Sequence, residues 1–257
     1  MNGRTCLGST RWHSKTQNGF KIMNETQLPK DPFEYKSLSK RNPIRIAHKI
    51  QAELLEYWSA LTFKRAELPI KLPSESCQES LEFDREDTAV TDEHMSLLLD
   101  CIKETNSLGE SVAEIGAFRG VTSAMLAART ERTYYIIDPY AGYGGAETDL
   151  TRQRSRTSSL PNISFHRTTS GQFLRDHRDL AISFAFIDAV HDFANVWFDG
   201  SSWSRRLVPG GLIAFHDTDA NEFSGARTAV TKLLRSSRGS LTLFAHIKNL
   251  TVLQRAD

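Results

Sequence analysis

The chain has 257 residues, with 32 lysines and arginines against 31 aspartates and glutamates. Its length is sufficient for one large domain, or for one domain with an extension. The net charge of +1 gives no reason to expect nucleic acid or an anionic membrane as a partner.

The cysteines and the apolar runs indicate the compartment. Cys6, Cys77 and Cys101 lack metal-ligand or redox spacing, and their odd number argues against a disulfide framework. No run reaches the roughly 20 apolar residues needed to span a bilayer, and the polar N-terminus lacks the apolar core of a signal peptide. We therefore expect a soluble, cytoplasmic protein that does not bind membranes.

The first part of the chain carries little periodicity. Residues 1–43 are polar and rich in lysine and arginine, which predicts largely irregular structure. Two interpretations stay open: a basic tail that contacts phosphates, or a solvated extension, which we favour. Trp12, Phe20, Phe33 and Tyr35 are candidate anchors onto the domain or onto a partner.

A helix is predicted at about 44–66, because proline is tolerated in the first helical turn at Pro43 and apolar residues recur at helical spacing until Pro69. These residues are Ile46, Ile50, Leu54, Tyr57, Trp58 and Leu61. They could cover a cofactor cleft, pack within the chain, which is the expected outcome, or pair with another subunit in a homo-oligomer. Residues 1–90 form an extension in this interpretation, and residues 91–257 form the main domain.

The main domain begins with a helix capped by Thr91, after which strands and helices alternate. Strands are predicted at 111–115, 133–137, 162–166, 182–187, 211–215, 241–246 and 249–254. Helices are predicted at 119–129, 146–156, 171–176, 192–206 and 223–236. This order predicts an α/β fold of Rossmann-like type, with a seven-stranded, mostly parallel sheet and helices on both faces. The last two strands are too close for a crossover and must form an antiparallel hairpin.

The most informative stretch is 111–138, where a strand, a glycine turn, a helix and a second strand precede Asp138. Gly116 and Gly120 permit a ligand to lie against the main chain, and Asp138 is placed to accept hydrogen bonds from ribose hydroxyls. The spacing Glu-x-Gly-x-x-x-Gly differs from the Gly-x-Gly-x-x-Gly of dinucleotide binders. It favours an adenosine-containing ligand without phosphates.

Four segments resemble class I S-adenosylmethionine-dependent methyltransferases, in particular the branch with small-molecule O-methyltransferases. They are Val-Ala-Glu-Ile-Gly-Ala-Phe-Arg-Gly (112–120), Tyr-Tyr-Ile-Ile-Asp-Pro-Tyr (134–140), Phe-Ile-Asp-Ala-Val-His-Asp (186–192) and Leu-Val-Pro-Gly-Gly-Leu-Ile-Ala-Phe-His-Asp (207–217). The resemblance covers about residues 90–255. It implies S-adenosylmethionine as cofactor, bound by Glu114, Gly116, Ala117, Gly120, Asp138, Pro139, Ser170 and Asp188.

The alternatives for several of these residues are structural. Glu114 and Asp138 could instead cap a helix or form a salt bridge, and Gly120 could serve only close helix packing. Ser170 is placed near the adenine by the resemblance alone. Tyr140 and Tyr143 lie in a segment that either closes over the ligand or is a solvent-exposed loop.

Asp188, His191 and Asp217 are the candidate catalytic residues, because they follow predicted strands at the edge where ligands bind to parallel sheets. Transfer of a methyl group to oxygen needs a base, and a histidine pKa near neutrality suits His191. The alternative is that His191 only orders the turn. Asp217 could orient His191 or contact the substrate. Pro209–Gly211 is expected to form the turn into the fifth strand.

A divalent metal is an open further cofactor, with Asp188, His216 and Asp217 as its ligands. Related metal-dependent O-methyltransferases use acids at comparable positions. The match here is incomplete, because a histidine stands where a second acid is expected and Val190 occupies a position that is often acidic.

The predicted function is therefore methyl transfer from S-adenosylmethionine to a small molecule, most simply at oxygen. Two alternatives remain: a binding or scaffold protein that keeps the fold without turnover, and an NAD(P)-dependent oxidoreductase. The latter is disfavoured by the absent third glycine and by the terminal hairpin.

Overall fold

The computed structural model describes residues 30–72, 81–142 and 144–256. The basic tail predicted over the first residues, with Trp12 and Phe20, lies outside the described residues except for its last part, as do Cys77 and Tyr143. Among the described residues, no helix is both long enough and apolar enough to cross a bilayer.

Seven strands form one sheet in the order β3-β2-β1-β4-β5-β7-β6. Their bounds are β1 Ser111–Ile115, β2 Tyr134–Ile137, β3 Ile163–His166, β4 Ile182–Ile187, β5 Leu207–His216, β6 Leu241–Ile247 and β7 Leu250–Arg255. The first five strands pair in parallel, whereas β7 runs antiparallel to β5 and to β6. The predicted fold class and the terminal hairpin are confirmed.

Seven α-helices accompany the described part of the sheet: α1 Pro43–Thr62, α2 Asp92–Glu104, α3 Val121–Ala127, α4 Glu147–Thr157, α5 Ser170–Asp176, α6 Phe193–Trp203 and α7 Ser224–Ser236. Thr91 caps α2 as predicted, since its side chain accepts a hydrogen bond from the backbone N–H of His94. Short 3₁₀ turns at Pro32–Ser37 and Phe63–Ala66 were not predicted.

Each face of the sheet packs against its own helices. Apolar residues of α2 and α3 form one buried cluster with the sheet, and those of α5, α6 and α7 form the other. The strands β1 and β4 lie between these layers and are almost completely buried. Runs such as Ile182–Ile187 are apolar at nearly every position because both faces of a parallel strand are covered.

The prediction of a turn at Pro209–Gly211 was wrong, because these residues lie within β5. The register between β4 and β5 shifts there, from the pair Ile182 and Leu207 to the pair Phe184 and Leu212. Gly210 takes a positive φ of 79°. The proline and glycines therefore make an irregularity inside the strand, which the strand can accommodate as a bulge.

The order of the strands also locates a ligand-binding edge. The chain moves from β1 to β2 and β3 on one side, then returns to β4 and β5 on the other. The carboxyl ends of β1 and β4 thus border the point where the strand order reverses, which is where ligands bind in open parallel sheets. Gly116 follows β1 and Asp188 follows β4.

The inner face of α1 is attached to the domain by Glu56. Its carboxylate accepts hydrogen bonds from the backbone N–H groups of Phe193 and Gly225, which lie in the first turns of α6 and α7. Burial raises the pKa of this carboxyl, and the two N–H bonds oppose that effect. One side chain therefore satisfies unpaired donors at two helix N-termini.

Within the described residues, the outer face of α1 does not show the expected packing against the domain. Ile46, Ile50, Leu54, Tyr57, Trp58 and Leu61 are all exposed, whereas Ser59 on the opposite side is buried. Helical periodicity correctly identified one apolar face, but periodicity alone does not show which face meets the domain. The side that faces inward carries Glu56 and the buried Ser59 beside Leu55, which packs against the apolar cluster of α6 and α7.

We predict that Glu56→Ala lowers the melting temperature by roughly 2–8 °C, because the substitution removes an acceptor from two helix N-termini, each worth about 1 kcal/mol. Glu53→Ala is the matched control, since Glu53 lies on the same helix and makes only an exposed ion pair with Lys49. Thermal unfolding followed by circular dichroism measures both. Equal shifts for the two variants would contradict the role of Glu56.

Candidate functional site

The turn after β1 is held by close contact with the turn after β4. Gly116 has a φ of 87°, and a Cβ atom there would lie 2.1 Å from the carbonyl oxygen of Asp188. The N–H of Asp188 donates to the carbonyl of Ile115 over 2.9 Å. Only glycine fits at this position, since any side chain would displace the backbone that carries Asp188.

Asp138 is oriented by backbone donors on both sides. Its Oδ2 accepts from the N–H of Ala117 at 2.9 Å and of Phe118 at 3.4 Å, while its Oδ1 accepts from the N–H of Tyr140 at 2.7 Å. Burial raises the pKa of Asp138, and these bonds oppose the effect. A carboxylate has about four acceptor positions, so one position on Oδ1 stays open for a ribose hydroxyl. The arrangement fits the adenosine part of S-adenosylmethionine.

Two non-glycine residues beside Asp138 have unusual backbone angles. Phe118 and Tyr140 have φ values of 46° and 48°, and the Tyr140 hydroxyl donates to the carbonyl of Phe118 over 2.8 Å. Asp217, after β5, has a φ of 57°. Such conformations are costly for side chains of this size and concentrate at ligand sites. All three residues lie at the carboxyl edge of the sheet.

Glu114 faces the protein interior. It is 1% exposed and is hydrogen-bonded to the hydroxyls of Ser123 and Tyr134. Burial raises its pKa to about 8, although the two hydroxyls act in the opposite direction. The carboxyl therefore carries a proton at neutral pH. A contact with the cofactor stays a prediction, and what the geometry provides is a link between β1, β2 and α3.

The remaining residues proposed for cofactor binding divide into two groups: two lie beside Asp138, and two take part in contacts between helices. Ala117 lies in the turn beside Asp138, and Pro139 follows Asp138 and is partly buried. Gly120 begins α3, and a Cβ atom there would lie 2.9 Å from the Cα of Gln153 in α4. The hydroxyl of Ser170 accepts a hydrogen bond from the indole N–H of Trp203, so it takes part in the packing of α5 against α6.

The candidate catalytic residues come together after β4 and β5. His191 Nε2 lies 3.3 Å from Asp217 Oδ2 and 3.6 Å from Asp188 Oδ1. Each of the three residues is partly buried, and together they offer ligand atoms within 4.8 Å of one another. The ring of Phe223 packs against the ring of His191, with the two centroids 4.8 Å apart. The cluster adjoins the turn of Gly116 through the backbone of Asp188.

His216 lies beneath this cluster and is 3% exposed. Its Nδ1 faces Asp217 Oδ1 at 3.4 Å and Asp188 Oδ1 at 3.5 Å, and its Nε2 lies 3.1 Å from Nδ1 of His94. His94 Nε2 is hydrogen-bonded to the carbonyl of Lys248, which can only accept. In a neutral His94, Nε2 therefore carries the hydrogen, and Nδ1 accepts a hydrogen bond from His216 Nε2.

The charges of this group follow from its burial and its neighbours. Burial lowers the pKa of His216, but the carboxylates of Asp188 and Asp217 outweigh it and raise the value to about 10. Burial also raises the pKa of Asp188, yet the imidazoles of His216 and His191 lower it overall. For His94, burial lowers the pKa further below neutrality. Two carboxylates and an imidazolium therefore share one buried region.

The donor set also fits a divalent metal. His216 Nδ1 is a buried atom without a hydrogen-bond partner of good geometry among the described residues, although two carboxylate oxygens lie close to it. The distances from His191 Nε2 and His216 Nδ1 to the carboxylate oxygens of Asp188 and Asp217 are 3.3 to 3.6 Å, which is long for hydrogen bonds. They agree with atoms arranged around a common centre, and carboxylate and imidazole groups are ordinary ligands of such ions.

His94 is the residue of this group that sequence reasoning missed. It lies on α2, next to Met95 in the apolar stripe, and is 122 positions from His216 along the chain. No local motif distinguishes it. Only the packing of α2 beside the carboxyl end of β5 gives it contact with His216.

The comparisons with known proteins agree with this geometry. Residues 113–218 match a family model described as a methyltransferase domain. No curated protein sequence matches the chain. Among solved structures, CalS11, the TDP-rhamnose 3'-O-methyltransferase of calicheamicin biosynthesis, is similar with a TM-score of 0.52 and 14% identity, over 86% of this chain and 99% of that one.

Two further structures are similar to the chain. A Staphylococcus aureus protein provisionally assigned as a caffeoyl-CoA O-methyltransferase gives a TM-score of 0.54 at 12% identity, covering 88% of this chain and all of the other. A provisionally assigned O-methyltransferase from Klebsiella pneumoniae gives 0.52 at 13% identity, covering 88% and 96%. At these identities the likeness shows the fold.

The fold is that of the class I methyltransferases, a class that uses S-adenosylmethionine. The matched family model describes residues 113–218 as a methyltransferase domain. The predicted enzyme class, a methyltransferase, and its cofactor, S-adenosylmethionine, are confirmed.

The buried carboxyl of Glu114 predicts a specific pH dependence. A carboxyl whose pKa is higher in the folded chain stabilises the fold most below its unfolded value, and that contribution is lost as the pH rises to the folded value. Here the pH window extends from 4.5 to about 8. We expect the free energy of unfolding of the wild type to fall by a few kcal/mol over this pH range, and we expect this fall to be absent in Glu114→Gln.

Urea unfolding of the wild type and of Glu114→Gln at pH 5 and pH 8 measures this difference. Glu131→Gln is the control, because Glu131 is exposed. The interpretation would be contradicted if the wild type and Glu114→Gln lost equal stability between the two pH values.

Proposed function

We propose that the chain transfers the methyl group of S-adenosylmethionine to a hydroxyl oxygen of a small molecule. The observation that carries this proposal is the contact between two turns: Gly116 of the cofactor turn lies against the backbone of Asp188, which belongs to the acid and histidine cluster. A methyl donor held at the first turn would therefore adjoin a group of residues suited to hold and deprotonate an alcohol.

The residues would divide the work as follows. The Gly116 turn and the carboxylate of Asp138 would hold the adenosine part of the cofactor. When bound, S-adenosylmethionine supplies a methyl group activated by its sulfonium sulfur. His191 would accept the proton of the substrate hydroxyl as the carbon–oxygen bond forms and the methyl–sulfur bond breaks, with S-adenosylhomocysteine as the leaving group. Asp217, 3.3 Å from His191 Nε2, would stabilise the resulting imidazolium.

A metal ion at the same cluster is the second candidate mechanism. The observation that favours it is His216 Nδ1, which is buried beside Asp188 and Asp217 and held by His94 through its other nitrogen. Such outer-shell support is typical of metal-ligating histidines. Asp188, His216 and Asp217 would then hold a divalent cation that orients a diol substrate, and His191 would stay close enough to act as a base or as a further ligand.

The substrate class is supported by the character of the cluster. Carboxylates and imidazoles at one edge recognise hydroxyl groups through hydrogen bonds or through a shared cation, as a catechol or a sugar diol would require. CalS11 acts on TDP-rhamnose, according to its description. A small polyhydroxylated acceptor is therefore the proposal to test first.

For the cofactor site, we expect Asp138→Ala to weaken binding of S-adenosylhomocysteine by roughly 10- to 100-fold, because hydrogen bonds to a charged group are each worth about 1.5–3 kcal/mol. Isothermal titration calorimetry measures the affinity. Asp179→Ala, at an exposed position, should leave it unchanged. If the wild-type protein binds neither S-adenosylmethionine nor S-adenosylhomocysteine, the proposal fails.

For the base, we expect His191→Ala to lower turnover by about 100-fold or more while the affinity for S-adenosylhomocysteine is retained, since a positioned general base contributes roughly 10²–10⁴ in rate. Formation of S-adenosylhomocysteine with a panel of catechols and sugar diols measures the rate. His48→Ala, on α1, is the control. An unchanged rate would remove His191 from the mechanism.

Chelation separates the two mechanisms. A cation mechanism requires that exhaustive chelation abolishes turnover, that Mn²⁺ restores it, and that His216→Ala abolishes Mn²⁺ binding in calorimetry. Turnover that survives chelation leaves only the histidine base. Cofactor binding without turnover on any acceptor would instead support a binding or scaffold protein.

A further inference from the structure

Helix α1 presents a continuous apolar stripe away from the domain. Ile46, Ile50, Leu54, Tyr57 and Leu61 follow one another at intervals of four, four, three and four residues, which places them within about 80° on the helix surface. Trp58 lies about 40° beyond Leu54 at one edge of the stripe, and Ile44 lies about 40° further round the helix on the same side. These seven side chains are between 46% and 67% exposed with respect to the described residues.

The exposed apolar area is at the upper end of what a monomer leaves open. The five residues of the stripe and Trp58 together expose on the order of 600 Å², and the largest apolar patch on a typical monomer is about 300–600 Å². A stable interface between two proteins buries about 800 Å² on each partner. The outer face of α1 therefore supplies most of the area that one side of a stable interface needs.

The stripe is also fixed in place by the other side of the helix. Glu56 accepts hydrogen bonds from the N-termini of α6 and α7, Ser59 is buried, and the ring of Trp58 lies edge-on to Phe193 with centroids 6.1 Å apart. The helix cannot rotate to bury its apolar side without breaking these contacts. A preorganised surface of this kind costs little further ordering on association.

The order of residues along the stripe favours a second copy of this chain as the occupant. The intervals are nearly the same in both directions, so an antiparallel pair of α1 helices places Ile46 opposite Leu61, Ile50 opposite Tyr57, and Leu54 opposite itself. Antiparallel helices also align their dipoles favourably. A two-fold axis near Leu54 closes the assembly with one self-complementary patch.

The narrowness of the stripe favours a second helix, and not a membrane surface, as the partner that covers it. A narrow stripe at alternating intervals of three and four residues is typical of a seam between helices. Helices that lie on membranes carry lysine and arginine over their polar face. The polar face of α1 is instead packed on the domain through Glu56 and Ser59.

We propose that the outer face of α1, from Ile46 to Leu61, is the interface of a two-fold symmetric dimer in which α1 pairs antiparallel with α1 of a second copy. The dimer buries the stripe on both chains. This inference does not depend on the proposed methyl acceptor, because none of the residues in the stripe belongs to the candidate catalytic cluster.

Sedimentation equilibrium of the full chain at micromolar concentration tests the interface. The wild type should give twice the mass of one chain, 29.0 kDa. Leu54→Glu should raise the dissociation constant by roughly 100-fold or more, because it places two like charges opposite each other on the axis. Leu72→Glu is the control, since Leu72 is 69% exposed but lies outside α1. It should leave the mass unchanged.

A charge exchange tests the orientation. Ile46→Glu alone and Leu61→Lys alone should each weaken the dimer, whereas the double variant should restore it, because an antiparallel pair brings each new glutamate next to a new lysine. Restoration also shows that the substituted chain folds. A parallel pair would bring like charges together and give no restoration.

Three results would overturn the proposal. The first is a monomeric wild type, whether or not it sediments with vesicles of phosphatidylcholine and phosphatidylglycerol. The second is a dimer that Leu54→Glu leaves intact. The third is a double variant no more dimeric than its two single variants.

Discussion

The candidate site depends on how closely two backbone turns approach each other. The carbonyl of Asp188 occupies the space that a side chain at position 116 would fill, and its N–H donates to Ile115. This contact fixes the distance between the turn suited to the cofactor and the cluster suited to the acceptor. In an in-line displacement, such alignment contributes much of the rate, because the reacting atoms must be held about 3–3.5 Å apart with their orbitals aligned.

The cluster itself is organised by charge in a partly dry environment. Asp188 and Asp217 would repel each other if they stood alone, and the imidazole of His216 between them offsets this. His94 and the carbonyl of Lys248 complete the chain of hydrogen bonds beneath it. A proton or a divalent cation at His216 Nδ1 satisfies the same two carboxylates. The protonated and the metal-bound form of His216 would therefore be two occupancies of one arrangement, and pH links them.

The N-terminal part of the chain bears on the site through α1. Glu56 binds the N–H of Phe193, two residues after His191, so the inner face of the helix supports the turn that carries the candidate base. The outer face of the same helix carries the apolar stripe. Any partner that binds the stripe would thus contact an element that also supports the turn of the candidate base.

Local patterns in the sequence determined the strand and helix order, the glycine turn after β1 and the acids after β2, β4 and β5. They could do so because burial on both faces produces apolar runs, and because parallel strands collect their carboxyl ends at one edge. The bounds of β1 and β4 were predicted without error. The resemblance to methyltransferases rests on the same segments. It therefore predicted the identity of the cofactor but no further contacts between residues.

Tertiary structure decided what no local pattern contains. It placed His94 against His216, 122 positions away along the chain, and hydrogen-bonded Ser170 to the indole of Trp203. It also buried Glu114, which raises the pKa of that carboxyl to about 8. It also turned the apolar stripe of α1 outward, although periodicity identified the stripe itself. The reason is the same in each case: burial, pKa and contact partners depend on which elements pack together, whereas periodicity reports only the shape of each element by itself.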